Sequence, residues 1–312
     1  MTTTTKNNKT IILVTGATGT VGSEVVKQIT SPSRSSLSSD IRVRAAVHSK
    51  DKADRLRAEN KLVDIVDIDY NKSETIVDAL NGIDKLFLLT LPRPNMPEIT
   101  SGLINEAKKN NVKHIVKLSV LSAEDEPGLI IGRMHRQEEK LIEESGIPYT
   151  FLRAGPFMQN FINFFGQTIR TQNAIYLPVG EGKVSFVDAR DIAAVATKIL
   201  LANSNGTKIN QLYENKKYGI TGNEALSYSQ AADILSSVLG RRITYVKISE
   251  EDTRNAMKKM GMEDWLIDAL LEFYSVIRSG DASQSTTAVE QITGRKPISL
   301  EQFVRDHASS FS

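Results

Sequence analysis

Short apolar runs alternate with amphipathic stretches along the first half of the chain. Continuous apolar runs bounded by turn residues are typical of strands buried on both faces, whereas an apolar period near 3.6 residues is typical of helices. Strands are therefore predicted at 11–14, 43–48, 62–68, 83–90, 114–120 and 148–153, and helices between them at 21–29, 52–59, 73–80, 99–107 and 131–144. This alternation predicts an α/β fold with a Rossmann-type, doubly wound parallel sheet.

The regular alternation of apolar runs and amphipathic stretches ends after Arg153. Four phenylalanines at 157, 161, 164 and 165 predict one helix that continues towards Arg170. Further helices are predicted at 191–202, 228–239, 250–260, 264–277 and 300–309, and short strands at 175–178, 183–187, 208–213 and 243–248. Ser299 and Gln302 have the spacing of a capping box at the start of the last helix. The second half is richer in helix than the first.

Three glycines follow the first strand at intervals of three residues, at Gly16, Gly19 and Gly22. Gly16 permits the sharp turn, Gly19 lets the backbone approach a pyrophosphate, and Gly22 lets the helix and sheet pack closely. The free N–H groups in the first helical turn, which includes Thr20 and Val21, then face the phosphate charge. The loop predicts a bound dinucleotide, and an ordinary glycine-rich turn is the alternative.

The composition of the chain limits its domain number, its binding partners and its chemistry. The 312 residues suffice for two domains, which we place at 1–155 (NAD(P)-binding) and 156–312 (a smaller α/β substrate or partner domain), with the chain crossing back near 183–203. Lys and Arg number 39 against 37 Asp and Glu, which predicts no nucleic-acid or membrane surface. Without cysteine, thiol chemistry is excluded. Neither a secretory signal nor a membrane-spanning run is recognisable, so a cytoplasmic location is expected, or a nuclear one for a regulator.

The second strand ends at His48 without the carboxylate that usually holds the ribose hydroxyls of NAD. Polar and basic residues stand there instead and could receive a 2′-phosphate: His48, Ser49, Lys50 and Lys52, with Arg44 nearby. NADP(H) is therefore favoured, and NAD(H) is the alternative; a solvated lysine-rich loop would explain the same residues. Asp69 and Tyr70, after the third strand, are candidates for the adenine pocket or for a helix approach without ligand contact.

Four longer motifs carry a family resemblance: Val14–Gly22, Tyr149–Phe161, Val187–Ile192 and Thr293–Phe303. Together they resemble the NmrA-like group of atypical short-chain dehydrogenases over nearly the whole chain. Within it, the sequence is most similar to the branch that contains NAD(P)H:quinone oxidoreductase type 2 enzymes. The resemblance implies reduction of quinones with NADPH. The group also holds regulators that bind dinucleotides and have no known chemistry.

The resemblance also implies a set of cofactor contacts. It assigns the pyrophosphate to Gly16, Thr18, Gly19 and Gly22. It places His48 where related reductases often have Arg, and Lys52 at a second basic position; an imidazole in place of a guanidinium weakens the NADP preference. The remaining implied contacts are Thr90, Leu91 and Pro92 along the cofactor, Ser119 and Val120 near the nicotinamide, and Gly155, Pro156 and Phe157 beneath it.

The helix after the fifth strand lacks the Tyr-x-x-x-Lys pair of classical short-chain dehydrogenases. His135 and Glu139 have the same i, i+4 spacing, so they are a candidate proton-donating pair, and a structural pairing is the alternative. The missing Tyr counts against alcohol dehydrogenation. It does not count against reduction of quinones or similar electrophiles, where positioning supplies much of the rate and water can supply protons.

The substrate pocket is predicted from apolar residues near the cofactor: Phe157, Met158 and Phe161 first, with Phe165, Tyr176 and Trp265 as additions. An aromatic stripe at helical spacing is also typical of a core. Asp188 and Asp191 are predicted to cap the following helix, and no metal site is predicted. Two functions stay open, which are a reductase of a small quinone-like substrate and a dinucleotide-sensing regulator that acts through a protein partner.

Overall fold

A computed structural model describes residues 9–31, 41–59, 63–124, 128–202 and 210–312. Its strands are β1 (Thr10–Val14), β2 (Ile41–Val47), β3 (Val63–Asp67), β4 (Lys85–Leu88), β5 (His114–Val120), β6 (Tyr149–Ala154), β7 (Ala174–Leu177), β8 (Lys183–Val184), β9 (Lys216–Ile220), β10 (Leu226–Ser227) and β11 (Thr244–Lys247). Its helices are α1 (Thr20–Ile29), α2 (Lys50–Glu59), α3 (Ser73–Leu80), α4 (Met96–Lys109), α5 (Ile130–Ser145), α6 (Asn160–Asn163), α7 (Gly166–Gln172), α8 (Ala189–Leu201), α9 (Asn210–Tyr213), α10 (Tyr228–Leu239), α11 (Glu250–Lys259), α12 (Asp264–Ser279), α13 (Ala288–Thr293) and α14 (Leu300–Asp306).

Seven strands form one sheet in the order β3-β2-β1-β4-β5-β6-β9. The pairs β1–β2, β1–β4, β2–β3 and β4–β5 are parallel. The strand order reverses between β1 and β4, and in open parallel sheets this is the point where a ligand crevice forms beyond the carboxyl ends of the strands. The predicted doubly wound, Rossmann-type sheet is confirmed.

Most predicted elements of the first half are found with small shifts at their ends. Helix α3 and strand β5 have the predicted limits, and residue 62 of the predicted third strand lies outside the described residues. A core cluster packs α3 and α4 against the sheet through Leu13, Leu80, Leu86, Leu103 and Phe151. The buried faces therefore follow the apolar stripes of the sequence.

Two predictions in the second half are wrong, and a third is confirmed in part. The predicted phenylalanine-rich helix is instead two short helices, α6 and α7, which Phe164 and Phe165 separate. The strand predicted at 208–213 is a helix from Asn210, and 208–209 lie outside the described residues. The capping box at Ser299 is only half formed: its hydroxyl accepts from the N–H of Gln302, but the Gln302 side chain donates to Asp306.

The chain divides into two compact units. Unit 1 comprises Met1–Ser119, Met134–Arg153 and Ile192–Tyr218, and unit 2 comprises Val120–Arg133, Ala154–Asp191 and Gly219–Ser312. In unit 2, β7 pairs in parallel with β11, and β8 pairs antiparallel with β10. A second core joins these strands with residues such as Phe161, Leu235 and Phe303. Among the described residues, no helix has both the length and the apolar character needed to cross a bilayer.

Candidate cofactor and active site

The loop between β1 and α1 turns sharply at Gly16, whose φ is +62°. This left-handed conformation favours glycine, and a Cβ there would stand 2.9 Å from Cδ2 of Leu89. The loop is tied to the neighbouring strand by Thr15, whose hydroxyl donates to the Leu89 carbonyl at 2.9 Å and accepts from the Leu89 N–H at 2.8 Å. The tips of β1 and β4 are thus fixed to each other.

No side chain caps the N-terminus of α1 with a hydrogen bond. Gly19 is the N-cap residue and makes no side-chain cap, and the first turn contains no acidic residue. A Cβ at Gly22 would lie 2.1 Å from the Gly16 carbonyl oxygen, so the helix can only begin this close to the loop with glycine there. The close approach is therefore to the loop backbone rather than to the sheet. Uncapped N–H groups at a helix N-terminus attract anions, and a pyrophosphate fits this cradle.

The residues predicted for the adenosine end stand at the tips of β2 and β3. His48 is exposed, and its Nδ1 lies 3.0 Å from the Ile68 carbonyl oxygen. Lys52 is exposed and Ser49 half-buried. The Asp69 carboxylate accepts from the N–H of Asn71 at 3.0 Å, and this bond, together with Lys72 and His48, holds its pKa below the usual range.

Tyr70 is half-buried at the same edge, and the Arg93 guanidinium lies 5.9 Å from its ring centroid. Burial raises the pKa of the Tyr70 phenol, so the side chain stays neutral. The ring presents an apolar face beside the tips of β1 and β3. Its assignment to an adenine pocket stays a prediction.

Two hydroxyls stand where β4 and β5 end. Thr90 is buried and donates to Oε1 of Glu138 at 2.7 Å, and Ser119 is buried and donates to Oε1 of Glu139 at 2.7 Å. Adjacent residues of α5 therefore each hold one strand tip. Leu91 and Pro92, the other predicted contacts of this edge, are exposed.

A fully buried ion pair joins α5 to β5. The Lys117 ammonium lies 2.7 Å from Oε2 of Glu138, and neither side chain is exposed. Thr100 also donates to Oε1 of Glu138. Burial opposes ionisation of Glu138, but Lys117 and the contact with His135 outweigh it and hold its pKa at about 2. The carboxylate is thus charged at all ordinary pH values.

His135 belongs to this cluster. Its Nδ1 lies 3.3 Å from Oε2 of Glu138 and 3.4 Å from Nζ of Lys117. Burial, and then the Lys117 ammonium, hold the pKa of His135 below its ordinary value, so the imidazole is neutral near pH 7. A neutral imidazole keeps one N–H, which can donate a hydrogen bond.

The predicted pairing of His135 with Glu139 is wrong. Glu139 is occupied by Arg153, whose Nε and one terminal nitrogen donate to the two carboxylate oxygens at 3.0 and 2.6 Å. The i, i+4 spacing places the two residues one turn apart, but Glu139 binds Ser119 and Arg153 on the sheet, whereas His135 contacts Glu138 and Lys117. The catalytic role of His135 stays a prediction, and Glu139 is a positioning residue for Ser119 and Arg153.

Sequence reasoning missed Glu138, Lys117 and Arg153. A signal was present in β5, where a lysine interrupts the apolar run His-Ile-Val-Lys-Leu-Ser-Val. A charge inside a strand buried on both faces needs a buried opposite charge. Glu138 and Glu139, on the helix that follows β5, were the available carboxylates.

The predicted loop beneath the nicotinamide lies in unit 2. Gly155 donates its N–H to the Ile220 carbonyl at 2.9 Å, and a Cβ there would stand 2.9 Å from the Ser185 carbonyl oxygen. Phe157 forms a parallel bridge with Val187. Pro156 and Phe157 are both half-buried, so of the three preferred pocket residues Phe157 keeps exposed surface.

Phe161 and Met158 are core residues of unit 2, and their assignment to the substrate pocket is wrong. The Phe161 ring has no exposed surface and packs against Phe186 and Tyr228, with centroid distances of 5.1 and 5.9 Å. Met158 is 3% exposed in the same cluster. Both side chains therefore belong to the hydrophobic core that also contains Phe186 and Tyr228. The additional candidates, Phe165, Tyr176 and Trp265, are half-buried.

The two aspartates of the Val187–Ile192 motif differ in role. Asp188 accepts from the N–H of Arg190 at 2.8 Å, as expected of a cap. Asp191 instead binds Arg295 and the N–H of Ile298, so the prediction that it caps α8 is wrong. Both aspartates are buried, and in the part of the chain that the structure describes no cluster of His, Asp and Glu could hold a metal ion.

This sheet order, with a glycine loop at its switch point, defines a Rossmann-type protein. The chain belongs to the NmrA-like family, which matches residues 8–304. It is 36% identical over 301 residues to the NAD(P)H azoreductase of Xenophilus azovorans, covering 96% of this chain and 99% of that one.

Two solved structures show the same fold. The NADPH-dependent quinone oxidoreductase of Escherichia coli, complexed with NADPH, has a TM-score of 0.79 and 27% identity, over 96% of this chain and 99% of that chain. Nmra, a negative transcriptional regulator in complex with NAD, has a TM-score of 0.73 and 19% identity, over 96% and 95% of the two chains. The second likeness concerns the fold alone.

Proposed function

We propose that this protein is an NAD(P)H-dependent reductase that transfers a hydride to quinones or similar small electrophiles. The observation that carries the proposal is the uncapped N-terminus of α1, where Gly19 leaves the first-turn amides open and Gly22 brings them close to the loop. This arrangement is suited to a diphosphate. Two reductases that this chain resembles are an NAD(P)H azoreductase and a quinone oxidoreductase complexed with NADPH.

Residues of unit 1 would hold the dinucleotide. The loop from Gly16 to Gly22 would take the pyrophosphate, and His48, Ser49 and Lys52 the ribose next to the adenine. The segment after β4 (Thr90, Leu91 and Pro92) and Ser119 would take the nicotinamide half. NADP(H) is the favoured form because no carboxylate stands at the tip of β2 to repel a 2′-phosphate.

A bound reduced nicotinamide supplies a hydride. The contribution of the chain is to hold the tips of β4 and β5 rigid, because Glu138 and Glu139 fix Thr90 and Ser119 from behind. His135, neutral and beside the Lys117–Glu138 pair, would donate an N–H hydrogen bond to the reduced acceptor, and water would supply the proton that converts a hydroquinone anion to the hydroquinone.

The proposed acceptors are quinones and azo compounds. Both take a hydride without the phenol of a Tyr-x-x-x-Lys pair, which this chain lacks. The 36% identity to an azoreductase and the fold shared with a quinone oxidoreductase point to the same substrate class. Phe157, the pocket candidate with exposed surface, would offer an apolar contact to a flat aromatic acceptor.

The test is consumption of NADPH with a panel of quinones and azo dyes, compared with Gly19→Asp and Gly19→Asn. Asp and Asn are both favourable N-cap residues, so both variants should fold with α1 intact. The carboxylate of Gly19→Asp would occupy the amides and repel the diphosphate, and coenzyme binding should be lost. The neutral Gly19→Asn should bind more weakly than the wild type but better than Gly19→Asp. Unchanged affinity in Gly19→Asp would show that the loop is misassigned.

The alternative is a dinucleotide-sensing regulator that acts through a protein partner. The missing Tyr-x-x-x-Lys pair and the histidine at the 2′-phosphate position suit it. This chain is 19% identical to a solved regulator, which is below its 36% identity to the azoreductase. Tight binding of either coenzyme without turnover of any quinone or dye would favour the regulator over the enzyme.

A further inference from the structure

His48 stands at the edge of the sheet where the glycine loop opens. The register pairs Val14 with Ala45, so β1 and β2 end side by side, and His48 follows β2 directly. In this fold the residue at that place faces the ribose 2′ position of the dinucleotide. His48 is exposed and therefore free to meet a ligand there.

One contact fixes which nitrogen of the imidazole carries the proton. Nδ1 lies 3.0 Å from the Ile68 carbonyl oxygen, and a carbonyl can only accept. Nδ1 must therefore be the N–H nitrogen. In the neutral ring, Nε2 then has a lone pair and no hydrogen, so it can accept a hydrogen bond but cannot donate one.

The charged groups around His48 come from three elements. Lys52 lies on α2. Asp67 is the last residue of β3, and Asp69 follows two residues later. Lys72 comes just before α3, and its ammonium lies 3.8 Å from the Asp69 carboxylate. The Asp69 carboxylate also accepts a hydrogen bond from the N–H of Asn71, so one of its oxygens already has a partner within the same turn. Arg44 on β2 is turned away, because its guanidinium donates to the carbonyls of Ala79 and Asn81 at the end of α3. No described group other than Ile68 bonds the imidazole, which leaves Nε2 to the ligand.

We infer that the protonation state of His48 selects between the two coenzymes. Neutral His48 accepts at Nε2 from the ribose 2′-hydroxyl of NAD(H), whereas protonated His48 donates from Nε2 to the 2′-phosphate of NADP(H). The Nδ1–H bond to Ile68 is the same in both states, so the ring does not have to rotate. The inference rests on the proposed function, since it assumes that a nicotinamide dinucleotide occupies this edge.

The consequence is a coenzyme preference that changes with pH. Once the imidazole has lost its second proton, a neutral Nε2 lone pair faces the phosphate oxygens. A hydrogen bond between charged partners is strong enough that its loss lowers affinity about tenfold. The phosphate itself becomes more negative as pH rises through about 6, which acts in the opposite direction and must be controlled for.

The experiment is calorimetric binding of NADP⁺ and NAD⁺ to the full chain between about pH 6 and about pH 8.5. The ratio of the two affinities should shift about tenfold towards NAD⁺ as pH rises. His48→Arg keeps its charge throughout, so its ratio should favour NADP⁺ and should report only the titration of the phosphate. His48→Gln is neutral throughout, so its ratio of NADP⁺ to NAD⁺ affinity should be low and should change with pH only as the phosphate titrates.

The tautomer offers a second measurement that does not depend on the ligand. Nitrogen-15 spectra of the 4 histidines should show one ring, absent from His48→Gln, with its proton on Nδ1 at alkaline pH. An affinity ratio that stays constant with pH while both coenzymes bind would overturn the inference and leave the proposed function standing. Failure of both coenzymes to bind at any pH would overturn the two together.

Discussion

Gly22 is the residue of the loop with least room for a side chain. A Cβ would stand 2.1 Å from the oxygen and 2.6 Å from the carbon of the Gly16 carbonyl. Gly22→Ala should therefore push the loop away from the start of α1 and lower the affinity for NADP⁺ by at least about tenfold, which calorimetry would measure. The helix itself should tolerate the change, because Ala is the better helix former.

Gly102→Ala is the matched control. Gly102 also lies inside a helix, α4, but a Cβ there meets nothing within 4 Å. The substitution should raise the free energy of unfolding by roughly 0.5–1 kcal/mol and leave coenzyme affinity unchanged. Equal coenzyme affinity in Gly22→Ala and Gly102→Ala would contradict the role given to the crowded contact at Gly16.

The glycine loop could be predicted from the sequence because its geometry is local. Gly16, Gly19 and Gly22 are constrained by the backbone within a few residues of themselves, apart from the contact with Leu89. Glu138 and Glu139 are a different case, because their partners come from β5 and β6. Helical spacing alone favoured His135 with Glu139, and only the folded sheet brings Lys117 and Arg153 to these carboxylates.

At the scale of elements, one buried chain of hydrogen bonds joins β5, β6 and α9. Thr150 donates to the Tyr213 carbonyl at 2.7 Å and lies 2.9 Å from Nε2 of His114. Because the Thr150 proton is used on Tyr213, His114 must donate from Nε2. Burial, and then the Lys85 ammonium, lower the pKa of His114 from 6.5 to about 4.

The expected result is a loss of stability in acid. Between 6.5 and about 4 the unfolded chain binds a proton at His114 that the folded chain does not, so the free energy of unfolding falls as pH falls through this window. The full difference is on the order of 3 kcal/mol. His114→Gln should keep the bond to Thr150 and flatten this part of the pH profile, as measured by urea unfolding.

His48→Gln provides the control for that substitution. The His48 ring is exposed to water in the folded chain, so its replacement should leave the acid slope of the unfolding free energy in place. A slope that is equally steep in His114→Gln and the wild type would mean that other groups carry the acid sensitivity.

Strands buried on both faces were predictable, whereas the edge strand β9 was not. Strands β1 and β4 contain the continuous apolar runs Ile-Ile-Leu-Val and Leu-Phe-Leu, which are typical of strands covered on both faces. Strand β9, Lys-Lys-Tyr-Gly-Ile, was missed because it is the last strand of the sheet and its first residues are exposed. Its side chains need not be apolar, and its pairing is decided by the neighbouring strand rather than by its own pattern.

At the scale of the whole molecule, unit 1 is discontinuous in sequence. Residues 192–218 belong to it although about forty residues of unit 2 precede them in the chain. Composition and periodicity describe each element but not which unit it joins, which is why the predicted boundary after residue 155 had to allow for a return of the chain. Tertiary contacts hold the returning segment in unit 1, such as those of Lys85 with Leu200 and Ala202 and the ion pair of Lys217 with Glu143 at 3.1 Å.

Those contacts predict that residues 1–155 do not fold alone. Lys85 is buried and donates to the carbonyls of Leu200 and Ala202, each at 2.6 Å, and Thr150 donates to Tyr213. The fragment lacks all three partners, so Lys85 and Thr150 lose these hydrogen bonds, and the part of unit 1 that residues 192–218 contribute is missing. It also lacks β9, which exposes the edge of β6.

A fragment of residues 1–220 retains every segment of unit 1 and is the comparison. Circular dichroism during urea unfolding should show no cooperative transition for 1–155 and a partial one for 1–220, while the full chain unfolds cooperatively. Adding residues 156–312 in trans should restore structure to 1–155, because that piece carries residues 192–218. A cooperative transition in 1–155 alone, equal in midpoint to that of 1–220, would show that residues 192–218 and strand β9 are not needed for the rest of the sheet to fold.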